Sequence, residues 1–151
     1  MKKYMSHWII GTFFLTLGLL IAIGPQTIFK PCSALLEITA EEGARGMTVP
    51  MRCHWSAKAE IGIGGVIALL GLLLLFFHNV QVRLGLSMAL PALGLVSVLL
   101  PGRHLIGVCM ARTMECRILM LPMLTMLGSL IIAVSLVYTV VLVRKARKRP
   151  A

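Results

Sequence analysis

Four cysteines are the residues in this chain whose type and placement could do chemistry: Cys32, Cys53, Cys109 and Cys116. None falls in an apolar stretch, and all four lie in two polar segments. On an oxidising face an even cysteine number reads as disulfides, and four cysteines allow three pairings. Cys109 with Cys116 closes a short loop, Cys32 with Cys53 a longer one, and crossed pairs staple the two segments together. Each structural bridge contributes about 2–4 kcal/mol. Thiol-disulfide exchange is the second reading. It usually relies on a Cys-x-x-Cys pair that tunes thiolate acidity, and the nearest spacing here, Cys109 to Cys116, is wider. The third reading is soft-metal binding. Met51, Cys53 and His54 are clustered, and Met110 and Met114 lie between Cys109 and Cys116. Thioether and thiolate suit Cu(I), although methionine is also a common filler of apolar cores.

A second group leads into an apolar stretch: His54, Trp55, Lys58 and Glu60. Trp55 suits the headgroup level of a membrane. Ser56 reads as a helix N-cap, and Glu60 as a first-turn acid favoured by the helix dipole. The functional alternative is a polar face in which Glu60 works with Lys58 or His54.

The elements that must position these residues follow from composition. Of 151 residues, 58% are hydrophobic and 13% charged, far from the quarter charged of an ordinary soluble domain. So short a chain cannot bury that apolar mass in water. Four apolar stretches, at about residues 8–29, 61–77, 84–100 and 118–143, are long enough to cross a bilayer as helices. They predict an all-α, four-helix membrane bundle, a single domain spanning 1–151. The polar loops are 30–60 and 101–117, the basic tail is 144–151, and a tight turn falls near His78–Arg83. A cleaved leader is disfavoured, because Pro25 would follow the small-x-small site at Ala22 and Gly24.

The net charge of +10 is concentrated at the ends. Lys2 and Lys3 precede the first span, and Arg144, Lys145, Arg147, Lys148 and Arg149 follow the last. Basic residues beside membrane spans mark the cytoplasmic side. Four spans then put both termini in the cytoplasm of a multi-pass cell-membrane protein, with the cysteine loops extracytoplasmic. No nucleic-acid-binding module accompanies the charge. The spans are expected to be nearly free of ionisable groups, which argues against a self-sufficient transporter. Small residues four apart, Gly64 and Ala68, Gly85 and Ala89, Ser129 and Ala133, predict close helix packing. Pro91 and Pro122 are expected to kink the third and fourth helices.

Three stretches carry a family resemblance: Met51-Arg52-Cys53-His54-Trp55-Ser56-Ala57-Lys58-Ala59-Glu60-Ile61-Gly62-Ile63-Gly64, Arg83-Leu84-Gly85-Leu86-Ser87, and Leu105-Ile106-Gly107-Val108-Cys109 with Thr113, Met114 and Cys116. Ile23-Gly24-Pro25 and Cys32 fit as well. The chain resembles the small bacterial and archaeal membrane proteins grouped as domain of unknown function 4418. The resemblance implies the four-helix form and the cysteine set, but no catalytic residue and no cofactor. It also implies a place beside export-type transporter components. The expected role is a non-enzymatic accessory subunit of a membrane transport complex, with the lipid bilayer and transporter subunits, or further copies of itself, as partners. A thiol-redox protein and an extracytoplasmic copper-binding protein are the alternatives. The segment Glu37 to Pro50 is richer in charge and glycine than the family pattern.

Overall fold

The computed structural model describes the backbone of residues 2–28, 36–37, 48–49, 52–102 and 116–147. Four long helices dominate: α1 (Lys2–Thr27), α2 (Arg52–Phe76), α3 (Val80–Leu99) and α4 (Leu121–Arg147). Between α1 and α2, β1 (Leu36–Glu37) pairs antiparallel with β2 (Thr48–Val49), Leu36 opposite Val49 and Glu37 opposite Thr48. A π-helical turn, Cys116–Met120, runs directly into α4.

Four helical spans are long and apolar enough to cross a membrane: Trp8–Thr27, His54–Phe76, Val80–Leu99 and Arg117–Arg147, the last taking in most of the π-helical turn as well as α4. At 1.5 Å per residue, a 20-residue span covers about 30 Å, the thickness of a bilayer's hydrocarbon core. Large side chains point outward along all four helices, among them Leu20, Leu69, Phe76, Met88, Leu95, Leu130 and Val137. In water such a surface would drive aggregation; in lipid it is the solvated face. This is a multi-pass membrane protein. Several hydroxyls within the spans are satisfied locally. Thr12, Thr16, Thr27, Thr125 and Ser129 each donate to a carbonyl three or four residues earlier in their own helix, as a solvent without hydrogen-bonding groups demands.

The helices pair as two antiparallel hairpins, α1–α2 and α3–α4. Contact within each hairpin is extensive and contact between the hairpins much lighter. Glycine explains the first hairpin. A Cβ on Gly18 would stand 2.4 Å from the Ala68 nitrogen, one on Gly64 2.5 Å from the Ala22 nitrogen, and one on Gly71 2.6 Å from the Leu15 nitrogen. Backbones this close gain dispersion and weak Cα–H···O contacts, which substitute in lipid for the missing hydrophobic drive. In the second hairpin the close approach is between Gly94 and Gly128. The core threads both, through Phe14, Ile21, Ile67, Leu74, Leu90, Leu124 and Ile131.

Of the three small-residue pairs expected to pack, Gly64 and Ala68 do so against α1. Gly85, Ala89, Ser129 and Ala133 face outward instead. Pro122 is the second residue of α4, immediately after the π-helical turn. A proline near a helix start forfeits little, since the first N–H groups have no partner within the helix, and the wider turn before it relieves the clash of its ring with the preceding carbonyls. Pro91 lies well inside α3, and Pro25 inside α1.

Two differences from the sequence expectation matter for function. Helix α2 begins at Arg52 rather than near residue 61. Ser56 is therefore within the helix rather than capping it, and Glu60 stands in its third turn. Helix α3 begins at Val80, with Asn79 as its extended N-cap. Arg83 is therefore a buried helical residue rather than part of an exposed turn.

Candidate functional site: a carboxyl where two hairpins meet

One face of α2 carries Ser56, Ala57, Glu60, Gly64, Ile67, Ala68, Gly71 and Leu74, all buried. Glu60 is four residues before Gly64, one turn away on the face that must pack inward. Its side chain is 0% exposed. On α3 the buried stripe runs Arg83, Ser87, Leu90, Gly94, Ser97. Where the two stripes meet, the Ser97 hydroxyl donates to Glu60 Oε2 at 2.7 Å. That bond joins α2 to α3 and so ties one hairpin to the other. Glu60 Oε1 is buried with no hydrogen-bond partner among the described residues. Glu60 is roughly 9 Å along the helix from His54, where the apolar span begins. Ser97 is in the last turn of α3, so the pair lies toward the loop end of the bundle. Pro25, Pro101 and Met120 are fully or almost fully buried.

The structure separates Glu60 from the other members of its sequence run. Trp55 is 55% exposed, and Lys58 Nζ lies 5.6 Å from its ring centroid. His54 meets the Trp55 ring edge-on, with centroids 6.3 Å apart. His54, Trp55 and Lys58 thus form an outward-facing cluster of amphipathic side chains, as befits the headgroup level, while Glu60 turns inward. The expectation that the spans are nearly free of ionisable groups is corrected here. Glu60 and Arg83 both lie within membrane-crossing spans and both are buried.

Arg83 organises the opposite, basic end. It is 2% exposed, and its guanidinium carbon lies 5.6 Å from the Tyr138 ring centroid, a cation–π contact strengthened by desolvation. Arg83 Nε and Nη2 and the Tyr138 hydroxyl have no hydrogen-bond partner. Beside them, Thr139 Oγ1 is 2.8 Å from the Ser135 carbonyl and 3.0 Å from Ser87 Oγ, while Ser87 donates to the Leu84 carbonyl. A single hydroxyl proton serves one acceptor at a time, so Thr139 can lock α4 to itself or to α3. The ring of Tyr138 therefore matters more than its hydroxyl. Tyr138→Phe is expected to cost less than about 1 kcal/mol and Tyr138→Ala about 3 kcal/mol or more, read as thermal unfolding in mild detergent.

Beside this end an apolar groove of about 390 Å³ runs between α1 and α4, lined by Ile10, Val134, Val137, Tyr138, Val141 and Lys145 among others. Neither Arg83 nor Ser97 stands out in the sequence as a site residue. The usable signal is helical register: both fall on the i, i+3/i+4 stripe of Leu90 and Gly94.

The remaining expectations fall on other parts of the chain. Cys32, Cys109, Met51, Met110 and Met114 lie outside the described residues, as do the side chains of Cys53 and Cys116. Among the described residues, no three of His, Cys, Asp and Glu gather as a metal would require.

A bundle of this form, with four spans and the Cys-His-Trp-Ser run opening the second, is what the family resemblance implies. The profile of the family described as domain of unknown function (DUF4418) matches residues 14–141. The chain belongs to that family. The match runs from the middle of α1 to within α4 and takes in α2, α3 and both long loops, so Glu60, Arg83 and Ser97 all lie inside the family's own region. No curated protein and no solved structure shows significant similarity to the chain.

Proposed function

We propose that this DUF4418 protein is a non-enzymatic accessory subunit of a membrane complex, a transport complex first among the candidates. One observation carries the reading: Gly62, Gly65 and Gly85 lie inside transmembrane helices with none of the described residues within 4 Å of the position a side chain would take. Glycine inside a helix costs about 1 kcal/mol relative to alanine. At Gly18, Gly64 and Gly71 close packing within the chain offsets that cost; at these three positions nothing among the described residues does. Small lipid-facing positions are what a neighbouring transmembrane helix needs in order to approach. Ala89, Ser129 and Ala133 extend the outward-facing small surface.

The charge pattern supports an orientation. Lys2, Lys3, Arg83, Arg144, Lys145 and Arg147 all belong to one end of the bundle, which the positive-inside tendency assigns to the cytoplasm of a cell membrane. The cysteine-bearing loops then face outward, where disulfides among their four cysteines, in any of the three pairings, are stable.

Purification from native membranes in mild detergent tests the reading. Near-stoichiometric membrane subunits are expected to accompany the protein. Gly62→Leu and Gly85→Leu are expected to reduce their recovery about tenfold, the equivalent of about 1.4 kcal/mol, while leaving the melting of the isolated chain unchanged or slightly raised. A solitary protein whose behaviour neither substitution alters would overturn the proposal.

A further inference from the structure

An ionised carboxyl inside a membrane bundle must find one unit of positive charge. Leaving it bare costs several kcal/mol even after local relaxation. Among the described residues, Glu60 has the Ser97 hydroxyl on Oε2 and nothing on Oε1. No described cation is within ion-pair distance of it. On its own helix, Lys58 is exposed and lies against Trp55, and His54 also meets that ring. On α3 the one ionisable residue is Arg83, roughly 20 Å from Ser97 along the helix axis. Between Trp8 and Thr27, α1 has no charged or titratable side chain. On the fourth helical segment, Arg117 stands half-buried at the loop end, and Tyr138, Arg144, Lys145 and Arg147 belong to the basic end.

The geometry points to a binding site for one small monovalent cation, a proton or a sodium ion, held by Glu60 and Ser97 where the two hairpins meet. A single carboxylate supplies one negative charge, which one such ion neutralises. A divalent ion asks for more negative charge than one carboxylate supplies. A proton would sit on Oε1, converting the carboxylate to the neutral acid with the Ser97 bond kept on Oε2. A sodium ion would take Oε1 and Ser97 Oγ as ligands. Either way the ion binds at the bond that ties α2 to α3, where the hairpins otherwise touch lightly. Occupancy thus neutralises the joint and lets the hairpins close at the loop end; an empty site draws in water and loosens them. The inference is independent of the docking proposal, since Glu60 is buried within the chain and the glycines above face outward.

Dicyclohexylcarbodiimide provides the test, because this apolar reagent adds to the protonated form of a membrane-buried carboxyl and is retained as a stable acylurea. The full-length protein is labelled in lipid nanodiscs and the adduct mapped by mass spectrometry, with Glu60→Gln as the blank. Labelling of Glu60 is expected to fall about tenfold as rising pH takes the proton from its carboxyl. At fixed pH, protection by sodium chloride but not choline chloride identifies the ion as sodium; a pH response without sodium protection identifies it as the proton. Melting of the wild-type protein is expected to follow the same ion, and Glu60→Gln, a neutral isostere of the loaded site, is expected to melt independently of it. Glu60 unlabelled at every pH, or labelling and melting indifferent to both ions, would overturn the inference.

Discussion

Gly18→Leu is expected to break the α1–α2 hairpin, with a destabilisation of about 3 kcal/mol, the upper end of the range for overpacking. The built Cβ falls 2.4 Å from the Ala68 nitrogen, 2.8 Å from its Cα and 2.8 Å from the Gly64 carbonyl oxygen. All three atoms are backbone, so no side-chain rotamer can make room. The helices must separate, and the neighbouring contacts at Gly11, Gly64 and Gly71 are lost with the one at Gly18. Gly64→Leu is expected to behave alike, because it meets the Ala22 backbone from the other side. Gly65→Ala is the control. Nothing lies within 4 Å of that position, and the gain in helix propensity is expected to stabilise the isolated chain by up to about 1 kcal/mol. Thermal unfolding of the three variants in one detergent decides the matter. Equal melting of Gly18→Leu and Gly65→Ala would show that the backbones do not meet.

The second large effect concerns the buried carboxyl. Ser97→Ala removes the donor to Glu60 Oε2 and leaves both carboxyl oxygens without a partner. The expected loss is about 1–3 kcal/mol, the penalty of a stranded buried polar group. Glu60→Gln keeps shape and hydrogen-bonding capacity without the charge, and is expected to melt at or above the wild-type temperature. Glu60→Lys places an ammonium group against the Ser97 hydroxyl in an apolar interior, and is expected to abolish assembly into the membrane or to cost about 3 kcal/mol or more. The order Glu60→Gln, then Ser97→Ala, then Glu60→Lys in falling stability is the diagnostic result. If Ser97→Ala melts like wild type, the carboxyl does not depend on Ser97. If Glu60→Lys is tolerated, the position is open to water rather than buried.

The two ends of the bundle hold their charges by different means. Arg83 is large, polarisable and weakly hydrated, and an aromatic ring accommodates it. Glu60 has no such refuge, because a carboxylate is repelled by the face of a ring and needs donors or a cation. An arginine over a tyrosine can therefore be a structural anchor, whereas a carboxyl with one serine is an incomplete site.

The four spans and the all-α class were legible from the sequence alone, because a bilayer core imposes a length and an apolarity that composition reveals without knowledge of contacts. The family, too, was legible in the Cys-His-Trp-Ser run and its glycine-rich continuation. Only the tertiary structure decided where α2 starts. Hydropathy marks where a chain becomes apolar, whereas a helix begins where its backbone hydrogen bonds begin, and Arg52 to Glu60 are helical yet polar. That offset hid Glu60, which looked like a first-turn acid at the surface. It also hid the division of small residues into those that pack, such as Gly64 and Ala68, and those left open, such as Gly85 and Ala89. Spacing places residues on a common face, but which face meets another helix depends on how the helices are rotated against one another, and that is fixed only by the fit of the assembled hairpins.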